Sequence, residues 1–319
     1  MIITRYFLII SLSVSFCLLN SQSSFAQNTV NDSLTVIIKE LKDSATIYGE
    51  RDMNEPLTKA AKWIQQVSDS SVHFEYYRTI GIYHLRKRNF EEALKALQEA
   101  LNLVDYGPNP SENACGIYKY LGYSTRELSI FNRAISYMEQ AISCTRQNDD
   151  LLVEGAHLSL SLFNLFYDIS KYEDAINLAK KLPSLFDRAQ LPTENYVELY
   201  INLAHCYMYL NQYPQANLSI QKAETLFQEI KDDKLDLLEV RLRSVRISYI
   251  IDTEEGGSDE LIKYMDKWAN NFNHEKSTRG DRIAFYYRQA GYRAMAYQYE
   301  KALEAADSMA ALNSVRDKN

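Results

Sequence analysis

The feature that most constrains this chain is a recurrence. The stretch NFEEALKALQEAL (Asn89 to Leu101) returns 41 residues later as IFNRAISYMEQAI (Ile130 to Ile142) on one skeleton: an aromatic, an alanine three residues on, and an alanine seven after that. The aromatics run Phe90, Phe131, Tyr172, Tyr213 and Tyr299, and the alanines Ala93, Ala134, Ala175, Ala216 and Ala302. Their spacings are 41, 41, 41 and 86, the last being two periods of 43. A small residue stands twelve positions before most of these alanines, at Gly81, Gly122, Ala204 and Ala290; Phe163 breaks that column. Ala100, Ala141 and Ala223 fill the later position, with Leu182 and Met309 as looser copies.

Small side chains at fixed points mean close helix approach, because an alanine or glycine at a crossing lets two backbones come to the short end of the usual 8–10 Å. Between the small residue and the aromatic lies a polar break: RKRN, ELSI, DISK, YLNQ. The unit is therefore helix, short turn, helix. About 41 residues less roughly 6 in turns leaves two helices of about 17 residues, each about 25 Å long. Between Ala216 and Ala302 a decayed unit is expected, with LDLLEVRLRSVRISYI and SDELIKYMDKWANNF as its helices and Gly256-Gly257 as the breaker between them. A further divergent pair is expected near the start, since terminal repeats meet solvent on one side. The expectation is an all-α chain of about seven antiparallel helix pairs, with units near 29–68, 71–106, 112–147, 152–188, 193–230, 234–273 and 279–314. Together they fill a repeat domain over 27–319.

The columns at Gly81, Phe90, Ala93 and Ala100, at Gly122, Phe131, Ala134 and Ala141, and at Leu203, Ala204, Tyr207, Tyr213, Ala216 and Ala223 make the chain resemble the tetratricopeptide repeat (TPR) family over roughly residues 70–310. It departs from that family's 34-residue unit by about seven residues, as longer bacterial variants do. The closing proline is absent from most copies, Pro183 being isolated. The resemblance implies a right-handed superhelix whose first helices line a concave groove. Counting from the small residue, the groove would carry Arg78, Lys119, Tyr123, Arg126, Asn164, Tyr167, His205, Arg246 and Tyr249. Those positions hold Arg and Lys and no acid in a chain of net charge −7. They suit an extended, acidic protein or peptide segment. The same columns turn apolar at Leu160, Ile201 and Leu242, which fits packing equally well. They do not reproduce the paired Lys and Asn of the carboxylate clamp, so no chaperone partner is implied.

The N-terminus points to export. Arg5 precedes the uncharged run FLIISLSVSFCLL, and Ser24-Phe25-Ala26 ends the segment on small residues, as in a secretory leader cleaved after Ala26. A periplasmic location follows, with an uncleaved anchor as the alternative. The apolar run of 13 residues is short for a span of about 20. Bulky Phe16 argues against lipidation at Cys17. The acidic balance excludes a general nucleic-acid binder, which needs clustered cations.

No P-loop, dinucleotide fingerprint, H-E-x-x-H or G-x-S-x-G occurs, the histidines are scattered, and no C-x-x-C exists. No enzyme activity, metal or cofactor is therefore expected. Cys115, near the start of one first helix, and Cys144, near the end of its partner, are neighbours in an antiparallel pair, a layout that allows a disulfide; two separate buried thiols are the default reading. The function expected is a non-enzymatic, exported interaction scaffold. A sensory input module of an envelope signalling system and an adaptor in an outer-membrane or secretion complex stay open. Self-association through the terminal repeats is a further expectation.

Overall fold

The structure is a computed structural model that describes residues 34–40, 54–145, 148–230, 236–253, 258–272 and 277–314. Residues 1–26, where the sequence suggests a leader, the Gly256-Gly257 breaker and much of the expected N-terminal pair lie outside the described residues. Everything regular within them is helical, and the chain divides into two compact units, Met1–Asp149 and Asp150–Asn319.

The first unit contains α1 (34–40), α2 (Asn54–Trp63), α3 (Ser70–Arg86), α4 (Phe90–Asn102), α5 (Pro110–Glu127) and α6 (Phe131–Thr145). The second contains α7 (Leu152–Asp168), α8 (Tyr172–Ala179), α9 (Leu182–Ala189), α10 (Thr193–Tyr209), α11 (Tyr213–Glu229), α12 (Asp236–Thr253), α13 (Ser258–Asn271), α14 (Arg279–Met295) and α15 (Tyr299–Ser314). Helices pair as hairpins α3–α4, α5–α6, α10–α11 and α14–α15, and each hairpin packs on its neighbour within its unit. This is the all-α stacked-hairpin architecture that the recurrence predicts.

The recurring residues build it. Ala93, Ala134, Ala175 and Ala216 are fully buried, as are Ala100, Ala141 and Ala223. Gly81 lies so close to α4 that a Cβ there would sit 2.6 Å from Leu97 Cγ, and one at Gly122 would sit 2.8 Å from Met138 Cγ. Buried apolar clusters join successive helices within each unit. Phe74, Leu97, Ile117 and Leu121 join α3, α4 and α5, while Val197, Ile201, Ile220, Leu242 and Val245 join α10, α11 and α12.

Every described hairpin turn closes the same way. The residue two before each aromatic takes a left-handed conformation: Arg88 (φ 61°), Ser129 (60°), Ser170 (62°), Asn211 (56°) and Tyr297 (59°). In the first copy Asn89 N–H donates to the His84 carbonyl at 2.9 Å and Arg88 N–H to the Leu85 carbonyl at 3.0 Å, the paired bonds of a Schellman cap. The same two bonds recur at Ser129–Ile130, Ser170–Lys171, Asn211–Gln212 and Tyr297–Gln298. The next residue then opens the second helix, which is why Phe90, Phe131, Tyr172, Tyr213 and Tyr299 stand in one column.

One element departs from the two-helix unit. The partner of α7 is broken in two, α8 ending at Ala179 and α9 starting at Leu182. Pro183 explains it. Its ring would collide with the carbonyl four residues back, that of Ala179, and it cannot donate the helical bond.

Candidate binding face on the first helices

In the first unit, the sequence-predicted residues sit on α3 and α5. Arg78 is half-buried, pairs with Glu75 at 3.2 Å and lies over the Phe74 ring. Lys119 lies 4.6 Å from the centre of the Tyr120 ring. Tyr123 and Arg126 are half-buried on the same helix. Cys115 and Cys144 are both thiols, not joined to one another.

In the second unit the predicted residues divide. Arg246 on α12 turns to α11: its guanidinium holds Glu224 through two bonds (3.1 and 2.7 Å) and Asn217 through a third (2.8 Å). Tyr249 is buried and meets Tyr213 edge-on at 6.4 Å. These two tie α12 to its neighbours. Leu160, Ile201 and Leu242, on the same column as Arg78 and Lys119, are buried in the core.

Asn164, Tyr167 and His205 form a different environment. Asn164 on α7 donates to Glu198 on α10 (3.3 Å) and accepts from Asn202 on the same helix (2.9 Å). Asn202 in turn accepts from Arg241 on α12 (3.0 Å), and Arg241 closes the ring on Glu198 at 3.5 Å. Three consecutive first helices are thus linked by one ring of two amides, a carboxylate and a guanidinium. Beside it stands an aromatic wall. Tyr172 and Tyr209 stack at 4.7 Å with planes 8° apart, and Tyr167 reaches Tyr209 (6.4 Å) and His205 (6.0 Å). Tyr209 is largely exposed.

The electrostatics follow from this packing. Burial, reinforced by the guanidiniums of Arg241 and Arg288, pushes the His205 imidazole down to about 4, so it is neutral at physiological pH. Burial pushes the Tyr167 phenol up to about 12, with Tyr209, Cys206, Tyr172 and Asp168 adding to the shift. Neither is poised for proton transfer near neutrality. The face offers hydrogen bonds, positive charge and flat rings.

Counting from the small residues misses Glu198, Asn202, Tyr209, Arg241 and Arg288. Asn202 did carry a signal: it is an amide in the middle of the run YINLAH, where helix propensity and burial both disfavour it. Among the described residues no group of His, Cys, Asp and Glu is arranged to hold a metal ion, and no helix is long and apolar enough to cross a membrane.

No family model and no curated protein sequence matches the chain. Solved structures do. The apo form of RapI is 15% identical and superposes with a TM-score of 0.60 over 90% of this chain and 87% of that one. Aspartyl phosphate phosphatase F from Bacillus subtilis is 14% identical, with a TM-score of 0.54 over 95% and 75%. The C-terminal part of a TPR repeat-containing protein from Cytophaga hutchinsonii aligns at 13% identity with a TM-score of 0.49 over 89% and 95%. At these identities the first two likenesses establish the fold.

Proposed function

We propose that this chain, which has the fold of the TPR-like stacked helical hairpins, is an exported, non-enzymatic scaffold that holds an extended protein segment along its first helices. The observation that carries this reading is the side-chain ring of Asn164, Glu198, Asn202 and Arg241 across α7, α10 and α12. An amide side chain has two donor hydrogens and two acceptor lone pairs. Asn164 uses one of each within the ring, which leaves one donor and one acceptor for a passing chain. An extended peptide presents that same pair at every residue. The ring holds the amide in one orientation, so little rotamer entropy is lost on binding.

The neighbouring groups favour an acidic segment. Arg241 is partly exposed and Arg288 is exposed on α14, and both act on His205. A carboxylate on the bound segment would meet positive charge without displacing Glu198. The Tyr167, Tyr172 and Tyr209 rings supply a flat apolar wall for the side chain beside it. Export rests on the leader pattern at 1–26, and the fold suits the task because a stack of hairpins presents a long, regular face.

The test uses the chain from Gln27 onward against a displayed library of random peptides, and in pull-downs from envelope extract. Selected peptides are expected to be enriched in Asp and Glu. Asn164→Ala and Arg241→Glu should each weaken a selected peptide by about 10- to 100-fold, the worth of one or two hydrogen bonds to charged or amide groups. Circular dichroism confirms that the variants stay folded. Unchanged affinity in both folded variants would remove this face from the reading. Turnover of an acyl phosphate such as acetyl phosphate by the purified chain would overturn its non-enzymatic part.

A further inference from the structure

In the first unit, Cys115 lies in the second turn of α5 and Cys144 is the penultimate residue of α6. The two helices pack as an antiparallel hairpin, so these ends are neighbours. The thiols share one acceptor: Cys115 Sγ–H donates to the Ser111 carbonyl at 3.0 Å, and Cys144 Sγ–H reaches the same oxygen from the other helix at 3.9 Å. Two sulfurs at those distances from one atom are at most 6.9 Å apart, whatever the angle between them. Rotation about Cα–Cβ between staggered wells carries a sulfur roughly 3 Å, so rotamer changes on the two side chains cover most of the gap to a bonded pair. The third cysteine among the described residues, Cys206, belongs to the other unit, is fully buried, and its thiol is pushed up to about 12 by that burial.

We propose that Cys115 and Cys144 form a reversible disulfide that staples the open end of the α5–α6 hairpin when the chain meets a small-molecule disulfide of the glutathione type. Cys144, the more exposed of the two, reacts first. Its thiol gives its proton to solvent, and the thiolate attacks one sulfur of the oxidant. The oxidant's S–S bond breaks, one half leaves as a thiolate, and the other half stays bonded to Cys144. Cys115 then attacks Cys144 Sγ and expels the second half as a thiolate, which takes up the proton that Cys115 gives up. Two protein thiols are oxidised to one disulfide, and the oxidant is reduced to two thiols. Cys115 needs no path to solvent for the second step, because its target is its neighbour. The ring so closed joins the two ends of α5–α6 that the hairpin turn at Leu128–Ser129 leaves untied. Lys119, Tyr123 and Arg126 lie on α5, so the staple fixes the helix that carries them. This holds whether or not the chain binds a peptide.

The experiment treats the folded chain from Gln27 onward, which leaves out Cys17, with oxidised glutathione, quenches it in acid, denatures it and alkylates the remaining thiols. Peptide mapping should show Cys206 labelled, Cys115 and Cys144 unlabelled and cross-linked to one another, and all three labelled after reduction with dithiothreitol. In Cys115→Ser the reaction should stop at a glutathione adduct on Cys144. In Cys144→Ser, Cys115 should stay a thiol. Hydrogen exchange should slow at the first turn of α5 and the last turn of α6 on oxidation of the wild-type chain. Full labelling of both cysteines after oxidant treatment, or a wild-type adduct on Cys144 that never resolves, would overturn the proposal.

Discussion

Helical glycines in this chain do opposite things, and the difference is one of neighbours. Gly81 faces Leu97, which is fully buried and offers its branch point, not a free tip; Gly116 and Gly291 have nothing within 4 Å of where a Cβ would lie. Alanine gains about 1 kcal/mol over glycine in a helix interior, while overpacking a tight contact costs about 1–3 kcal/mol. Gly81→Ala should therefore destabilise the chain by up to about 2 kcal/mol, and Gly116→Ala and Gly291→Ala should stabilise it by up to about 1 kcal/mol, all read from urea unfolding. Stabilisation by Gly81→Ala would show that α3 and α4 are not in close contact. His205 gives a second prediction. Its imidazole is depressed to about 4, below the ordinary 6.5, so the unfolded chain takes up a proton that the folded chain refuses. The stabilising contribution is complete above pH 6.5 and is lost as the pH falls through that window toward 4, by about 3 kcal/mol. His205→Gln should flatten the pH dependence of unfolding between pH 6.5 and 4. An unchanged slope would mean that the imidazole is solvated.

The turns set the element scale. Each described hairpin ends its first helix on a left-handed residue, and none of the five is glycine. Non-glycine residues in that conformation cost about 1–2 kcal/mol, of which glycine's greater unfolded-state entropy takes back about half. Ser129→Gly and Ser170→Gly, both at exposed positions, should each stabilise the chain by about 0.5–1 kcal/mol in urea unfolding; loss of stability would mean that the caps are not formed in solution. These turns also explain what could be inferred from residues alone. The alanine and aromatic columns are legible because packing and capping repeat at fixed offsets from each turn. The α8–α9 break is not a repeat property, and only Pro183 signals it. The Asn164–Asn202–Arg241 ring escapes column counting because it steps back along successive helices. Asn164 follows its reference residue by one, Asn202 precedes Ala204 by two, and Arg241 precedes Val245 by four. Helices packed at an inclination bring different register positions face to face, and nothing in the linear spacing states that inclination.

At the scale of the whole molecule, stability in a stack of hairpins is close to a sum of neighbour terms, so a lesion should open the chain where it lies. The last hairpin is a suitable place to test this. Arg293 on α14 is buried, and each nitrogen of its guanidinium donates to one partner: Gln289 (2.9 Å), Gln298 (2.6 Å) and Asp266 on α13 (2.8 Å). Arg279, at the start of α14, holds the carbonyl of Asn313 at the end of α15. Arg293→Met keeps the length and apolar contacts of the side chain but leaves Gln289 and Gln298 unpaired, while Asp266 retains Lys301 at 3.3 Å. Leaving buried polar groups without partners costs about 1–3 kcal/mol each when burial is complete. The substitution should therefore destabilise α13, α14 and α15 by about 2–3 kcal/mol. If neighbour terms dominate, hydrogen exchange will speed up in those three helices while α3 to α6 keep their protection. A uniform loss of protection would mean that the hairpins unfold as one cooperative body, and a partner held on α7, α10 and α12 would then stabilise the terminal hairpin as much as the helices it touches.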